Sequence, residues 1–162
     1  MNAKERKVAD LRWVRGITDS LLKDFPADKA TYQPWPGENH VAWSLGHLAS
    51  TYVWLTGVLG GTAPELPAGF HEAFKPGVKP EGNPAKYPAL AEVKRHFDST
   101  FQGFLKTVEG MSDAQLDGPL KESAGAFASN GWDILDRATW HEGWHAGQIS
   151  SVRRALGLKP IM

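Results

Sequence analysis

The sequence predicts an all-α chain, a four-helix bundle with long connecting loops, on three observations. Four stretches, each of roughly 20 residues, repeat apolar side chains at three- and four-residue steps. No segment shows a persuasive period-two alternation, so there is no sheet for the helices to cover. Amphipathic helices without a sheet must bury their stripes against one another, which is the bundle solution. At 162 residues the chain suits a single domain over 1–162, with no repeat, low-complexity tract or interdomain linker.

The first helix is expected from about Ala3 to Phe25. Val8, Leu11, Val14, Thr18, Leu22 and Phe25 form its stripe, and Pro26 stops it. The second spans about His40 to Leu59, with Val41, Leu45, Leu48, Tyr52, Leu55 and Leu59 on one face and Trp43, His47 and Trp54 beside it. Gly60 and Gly61 end it. The third opens at Pro88, a residue favoured in a first turn, and carries Leu90, Val93, Phe97, Phe101, Phe104 and Val108 to Gly110. The fourth starts at Asn130, an N-cap with Asp133 three residues on, and reaches about Leu156 before Gly157. Its inward stripe reads Ile134, Ala138, His141, His145, Ile149, Val152, Leu156.

Two connections are long. Residues 61–87 hold five of the eleven prolines and read as a structureless crossover, lid or functional wall; residues 26–39 also exceed a tight hairpin. Both adjoin the helix that bears His47.

Charge and composition narrow the chemistry. Eighteen basic and 18 acidic side chains leave no net field, so neither nucleic acid nor an acidic membrane surface finds an electrostatic partner. No stretch approaches the roughly 18 apolar residues of a membrane span, and no apolar signal core is present, so a cytoplasmic location is expected. A small neutral ligand fits better. With no cysteine, a soft-metal site must use histidine and carboxylate.

That chemistry concentrates in HEGWH, residues 141–145. His141 and His145 are four apart and face one way on a helix, where their imidazoles can converge on one ion. Both interrupt a buried stripe, so something must satisfy them: carboxylates and carbonyls, or a metal. The i, i+4 pair favours metal once His47 on another helix is available as a third ligand. His40 is held in reserve at a helix start, as a cap or pocket residue, and His71 and His96 are assigned to a loop and a charged face. Three neutral imidazoles suit zinc, nickel, iron or copper and leave coordination positions open.

HEGWH also spells the zinc-protease signature, in which the glutamate is the general base and a third ligand lies downstream. After His145 the chain offers only AGQISSVRRALGLKPIM, without a histidine or carboxylate side chain. The protease reading fails there. A di-metal carboxylate centre fails on ligand count, because Glu142 and His145 form the single Glu-x-x-His motif.

The run HEGWHAGQISSVRRALGL, together with WSLGHL at Trp43 to Leu48 about 94 residues upstream, resembles the DinB/YfiT-like superfamily. The resemblance covers the whole chain in helix order. It implies a bundle of up-down-down-up topology and a divalent metal (zinc, nickel or iron) on His47, His141 and His145. Similar proteins include transferases that use a low-molecular-weight thiol, so a thiol cosubstrate and a small electrophilic substrate are expected; a metal-dependent hydrolase and a non-catalytic metal- or small-molecule-binding protein are the alternatives, and a homodimer is the expected partner state. Glu142, about 100° round the helix from His141, is assigned either an acid/base role or a solvent-facing one. Trp43, Trp144 and Gln148 are expected near the pocket. Gly147 is read as a point of close helix approach, and Arg153 and Arg154 as surface charges complementing the helix dipole.

Overall fold

The computed structural model describes residues 1–161. Among these the chain forms six α-helices: α1 (Ala3–Leu22), α2 (Val41–Val58), α3 (Phe70–Phe74), α4 (Leu90–Gly110), α5 (Asp113–Asp117) and α6 (Gly131–Ala155). Single 3₁₀ turns lie at Ala27–Lys29 and Pro84–Lys86. The fold is all-α, without a named strand among the described residues. The four long helices are those expected from periodicity. A plain count of four is corrected by α3 and α5, one-turn helices too short for a periodic signal.

Local chemistry explains the boundaries. Asn2 and Glu5 form a capping box at the start of α1, and α1 ends at Leu22, before Phe25. His40 caps α2 through Nδ1, which accepts the Trp43 backbone N–H at 3.1 Å. The Asn130 side chain accepts the Asp133 amide, as its N-cap position predicts. Pro88 lies just outside α4, which begins two residues later.

The core is one cluster drawn from every long helix, with Leu11, Tyr52, Phe97, Phe101, Phe104 and Ile134 among its buried members. α2 packs chiefly on α4 and α1 on α6, and α2 meets α6 across the middle. α2 is buried nearly all round, which identifies it as the central helix.

The connection 61–87 is not structureless. Phe70 and Phe74 are four apart on α3 and both bury, so the segment is pinned against α2. The pinning depends on Gly46: a Cβ there would lie 2.4 Å from the Phe74 ring. Two further expectations change. Arg153 is buried, not a surface charge. Its guanidinium donates to Asp24 at 2.5 Å, the Leu21 carbonyl at 2.7 Å and the Lys159 carbonyl at 2.9 Å, fastening the end of α1 to the end of α6. Gly147 meets no neighbour within 4 Å of an added Cβ and opens on a groove between α1 and α6, so it is no point of close helix approach.

Candidate metal centre

α2 and α6 bring His47, His141 and His145 together. One ligand-capable nitrogen from each lies within 4.8 Å of the others. His141 Nε2 is 3.2 Å from His47 Nε2 and 3.2 Å from His145 Nε2. Two nitrogens about 2.0–2.1 Å from a tetrahedral ion stand roughly 3.3 Å apart, so these spacings fit a shared divalent cation.

Protonation points the same way. Burial lowers the pKa of all three: His141 falls to about 4, His145 lies well below the ordinary imidazole value, and His47 is lowered less because the Phe74 carbonyl offsets burial. Neutral rings have one lone pair each. His47 Nδ1 donates to the Phe74 carbonyl at 2.9 Å, which leaves the Nε2 lone pair facing the other two rings. Lone pairs from separate rings converging at such distances repel unless a cation or proton lies between them; the depressed pKa values disfavour an imidazolium, and a neutral tautomer with one N–H on Nε2 fully satisfies only one of the two 3.2 Å contacts, whereas a cation satisfies both.

The surroundings fix the rings. Trp43 stacks on His47 with centroids 4.8 Å apart and planes 6° from parallel. The buried His145 Nδ1 has no hydrogen-bond partner of good geometry, although the Gln148 side chain lies near enough to counter its shift in part. The Gln148 amide oxygen instead accepts from Asn39 Nδ2 at 3.1 Å, tying the 26–39 connection to α6.

Two cavities reach the triad. One, of about 450 Å³, is bounded by His47 and His141 together with Ser50, Thr51, Trp54, His71, Pro76 and Phe127. The other, of about 240 Å³, touches all three histidines and is rimmed by Asn39, Trp43, Trp140 and Trp144. Pro76 belongs to both walls. Trp144 lies at the rim of the smaller cavity. His40 is separate, a buried cap facing Tyr87, and lies outside both linings.

Glu142 requires correction. Its carboxylate is wholly buried, which excludes the solvent-facing assignment, and it lines neither cavity. Arg15 Nε donates to it at 2.8 Å and Arg15 Nη2 at 3.3 Å, and the Tyr52 hydroxyl donates to the same oxygen as Nη2. The guanidinium lies over the Phe97 and Phe101 rings, 3.4 and 3.9 Å from their centroids. This placement commits the carboxylate to a buried node rather than to proton transfer at the triad. His96 is likewise buried, against Phe70, rather than on a charged face.

Sequence reasoning offered residues 61–87 as a crossover, lid or functional wall but did not single out the Phe74 carbonyl, His71 or Pro76. Phe70 and Phe74 at i, i+4 were the available signal, because a pair of aromatics at that spacing can anchor a helical turn.

Fold and site together define an all-α protein with a three-histidine cluster capable of coordinating a divalent metal. The chain belongs to the DinB superfamily, whose sequence profile matches residues 10–149. No curated protein matches it. Its fold is similar to a crystal structure described as a conserved protein of locus from Enterococcus faecalis, with a TM-score of 0.69 at 15% identity, covering 97% of this chain and 99% of that one.

Proposed function

We propose that the chain is a metal-dependent transferase that joins a low-molecular-weight thiol to a small electrophile, with His47, His141 and His145 as the metal ligands. The observation that carries the reading is the pair of cavities meeting at the triad: a transferase must seat two reactants beside one ion, and a hydrolase needs room for only one besides water. A divalent ion held there would favour a thiol as its thiolate near neutral pH, as metals do for bound sulfur and water. In the transfer, the sulfur lone pair forms the new sulfur–carbon bond while the bond to the leaving group breaks. The thiol proton leaves with that group or to solvent.

The chain's residues act on placement. The Phe74 carbonyl and the Trp43 indole hold His47 with Nε2 inward, and Trp140 and Trp144 shield the smaller cavity. We read the four long helices as one domain of up-down-down-up topology, a reading supported by the single core cluster and by the family. No described helix is long and apolar enough to cross a membrane. A cytoplasmic setting, where small thiols stay reduced, fits the same reading. A homodimer is supported by the exposed Trp13 beside the α1–α6 groove, and sedimentation of the full chain tests it.

The test of the transferase reading is a cobalt-substituted full chain titrated with small thiols. A sulfur-to-cobalt charge-transfer band, followed by thioether formation from a chlorinated aromatic or an epoxide, is expected. If no thiol perturbs the cobalt spectrum, the transferase reading falls and metal-dependent hydrolysis takes its place.

A further inference from the structure

The larger cavity has a lining that selects its occupant. Its wall contains no lysine, arginine, aspartate or glutamate, so the one fixed charge at its edge would be that of an ion on His47 and His141, which the transferase reading gives to the thiolate. Trp54 and Phe127 meet edge to face, with centroids 5.3 Å apart, and Pro76 adds a third flat apolar wall. Aromatic walls in this arrangement favour a ring between or beside them. A volume of about 450 Å³ is at the small end of the range for ligand pockets, roughly 300–1,000 Å³.

One polar group in this wall is unspent. Ser50 is 3% exposed and its Oγ has no hydrogen-bond partner. Its neighbours on α2 behave differently: Thr51 donates to the His47 carbonyl at 2.9 Å and Thr56 to the Tyr52 carbonyl at 2.6 Å, the usual escape for a hydroxyl on a helix. Ser44 also lacks a partner but lies in neither cavity wall. A buried hydroxyl left unpaired is costly, and a ligand that satisfies it recovers that cost.

We propose that this cavity binds the electrophile, and that the electrophile is an uncharged, aromatic molecule whose one polar group hydrogen-bonds Ser50 Oγ while its ring rests on Trp54 and Phe127. The assignment rests on the transferase reading for its word electrophile, and on the cavity alone for its chemistry. Ser50 and Trp54 are then specificity residues, and the cavity at Trp140 and Trp144 is left for the thiol.

The test is binding to the metal-free full chain without thiol, where no ion on the triad can draw the sulfonate, read by calorimetry or by saturation-transfer NMR. The probes are para-chlorophenyl methyl sulfone and para-chlorobenzenesulfonate, similar in size and differing in charge, with para-chlorotoluene as a ring that lacks the polar group. The sulfone is expected to bind at least about ten-fold more tightly than the sulfonate. Trp54→Ala should weaken sulfone binding about five-fold or more, and Trp54→Phe should retain most of it. Ser50→Ala should weaken the sulfone and leave para-chlorotoluene unchanged. Equal or tighter binding of the sulfonate, or wild-type affinity for the sulfone in both Trp54→Ala and Ser50→Ala, overturns the proposal. Since turnover is not read, a triad that holds no metal would sink the transferase reading alone, whereas these binding failures sink the pocket assignment alone.

Discussion

His47 is constrained from three sides. The Phe74 carbonyl takes its Nδ1 proton, Trp43 fixes the ring plane, and Gly46 leaves the space in which the Phe74 ring can lie against α2. The glycine is therefore one step removed from the ligand: adding a methyl group would force an aromatic ring, and with it the carbonyl, away from the imidazole. Removing such an outer partner typically costs 10–100-fold in metal affinity. Gly46→Ala is expected to weaken zinc binding within about that range while the chain stays helical, as measured by competition with a chromophoric chelator. Wild-type zinc affinity in a folded Gly46→Ala would remove the Phe74 carbonyl from the account.

At the scale of elements, the four long helices meet in one polar node. Arg15 comes from α1, Tyr52 from α2, Phe97 and Phe101 from α4, and Glu142 from α6. Glu142 follows His141 directly, so the node also fixes the register in which α6 presents its histidines. A buried pair contributes little net stability over well-packed apolar side chains, but removing one partner strands the other charge. Glu142→Ala is expected to cost about 3–5 kcal/mol in urea unfolding, and Arg15→Met combined with Glu142→Leu should restore much of it. If Glu142→Ala is as stable as wild type, the node has no structural role. This is also where periodicity misleads. A 100° offset from the histidine stripe ordinarily means solvent, but α6 is covered on that side too, by α1 and α2, and an arginine on α1 supplies the missing charge. The capped ends at Asn130 and the i, i+4 pair on α6 were legible because both are local. The pairing of Arg15 with Glu142, 127 residues apart, has no local signature.

For the whole molecule, the legible part is the set of long helices and the two segments that carry the three histidines; His71, Pro76 and Phe127 in the cavity wall come from the connections. His71, Pro76 and the Phe74 carbonyl reach the triad through a segment whose path depends on where Phe70 and Phe74 bury, and composition does not encode that path. Acid stability is a property at this scale. Burial lowers the His40 pKa to about 4 from its ordinary 6.5. Below about 6.5 the unfolded chain takes up the proton and the folded chain does not, so stability falls as pH drops and levels off near 4. The slope is about 1.4 kcal/mol per pH unit for this one proton. His40→Asn keeps a capping oxygen for the Trp43 amide, so it should unfold with a shallower pH dependence than wild type between those values; an unchanged slope would show that His40 does not titrate this way. The central claim, one divalent ion on three histidines, is tested most directly by metal content after equilibration with zinc and removal of free ion. Wild type should retain about one equivalent per chain, and His47→Ala, His141→Ala and His145→Ala should each lose most of it. Full metal content in all three variants would contradict the account.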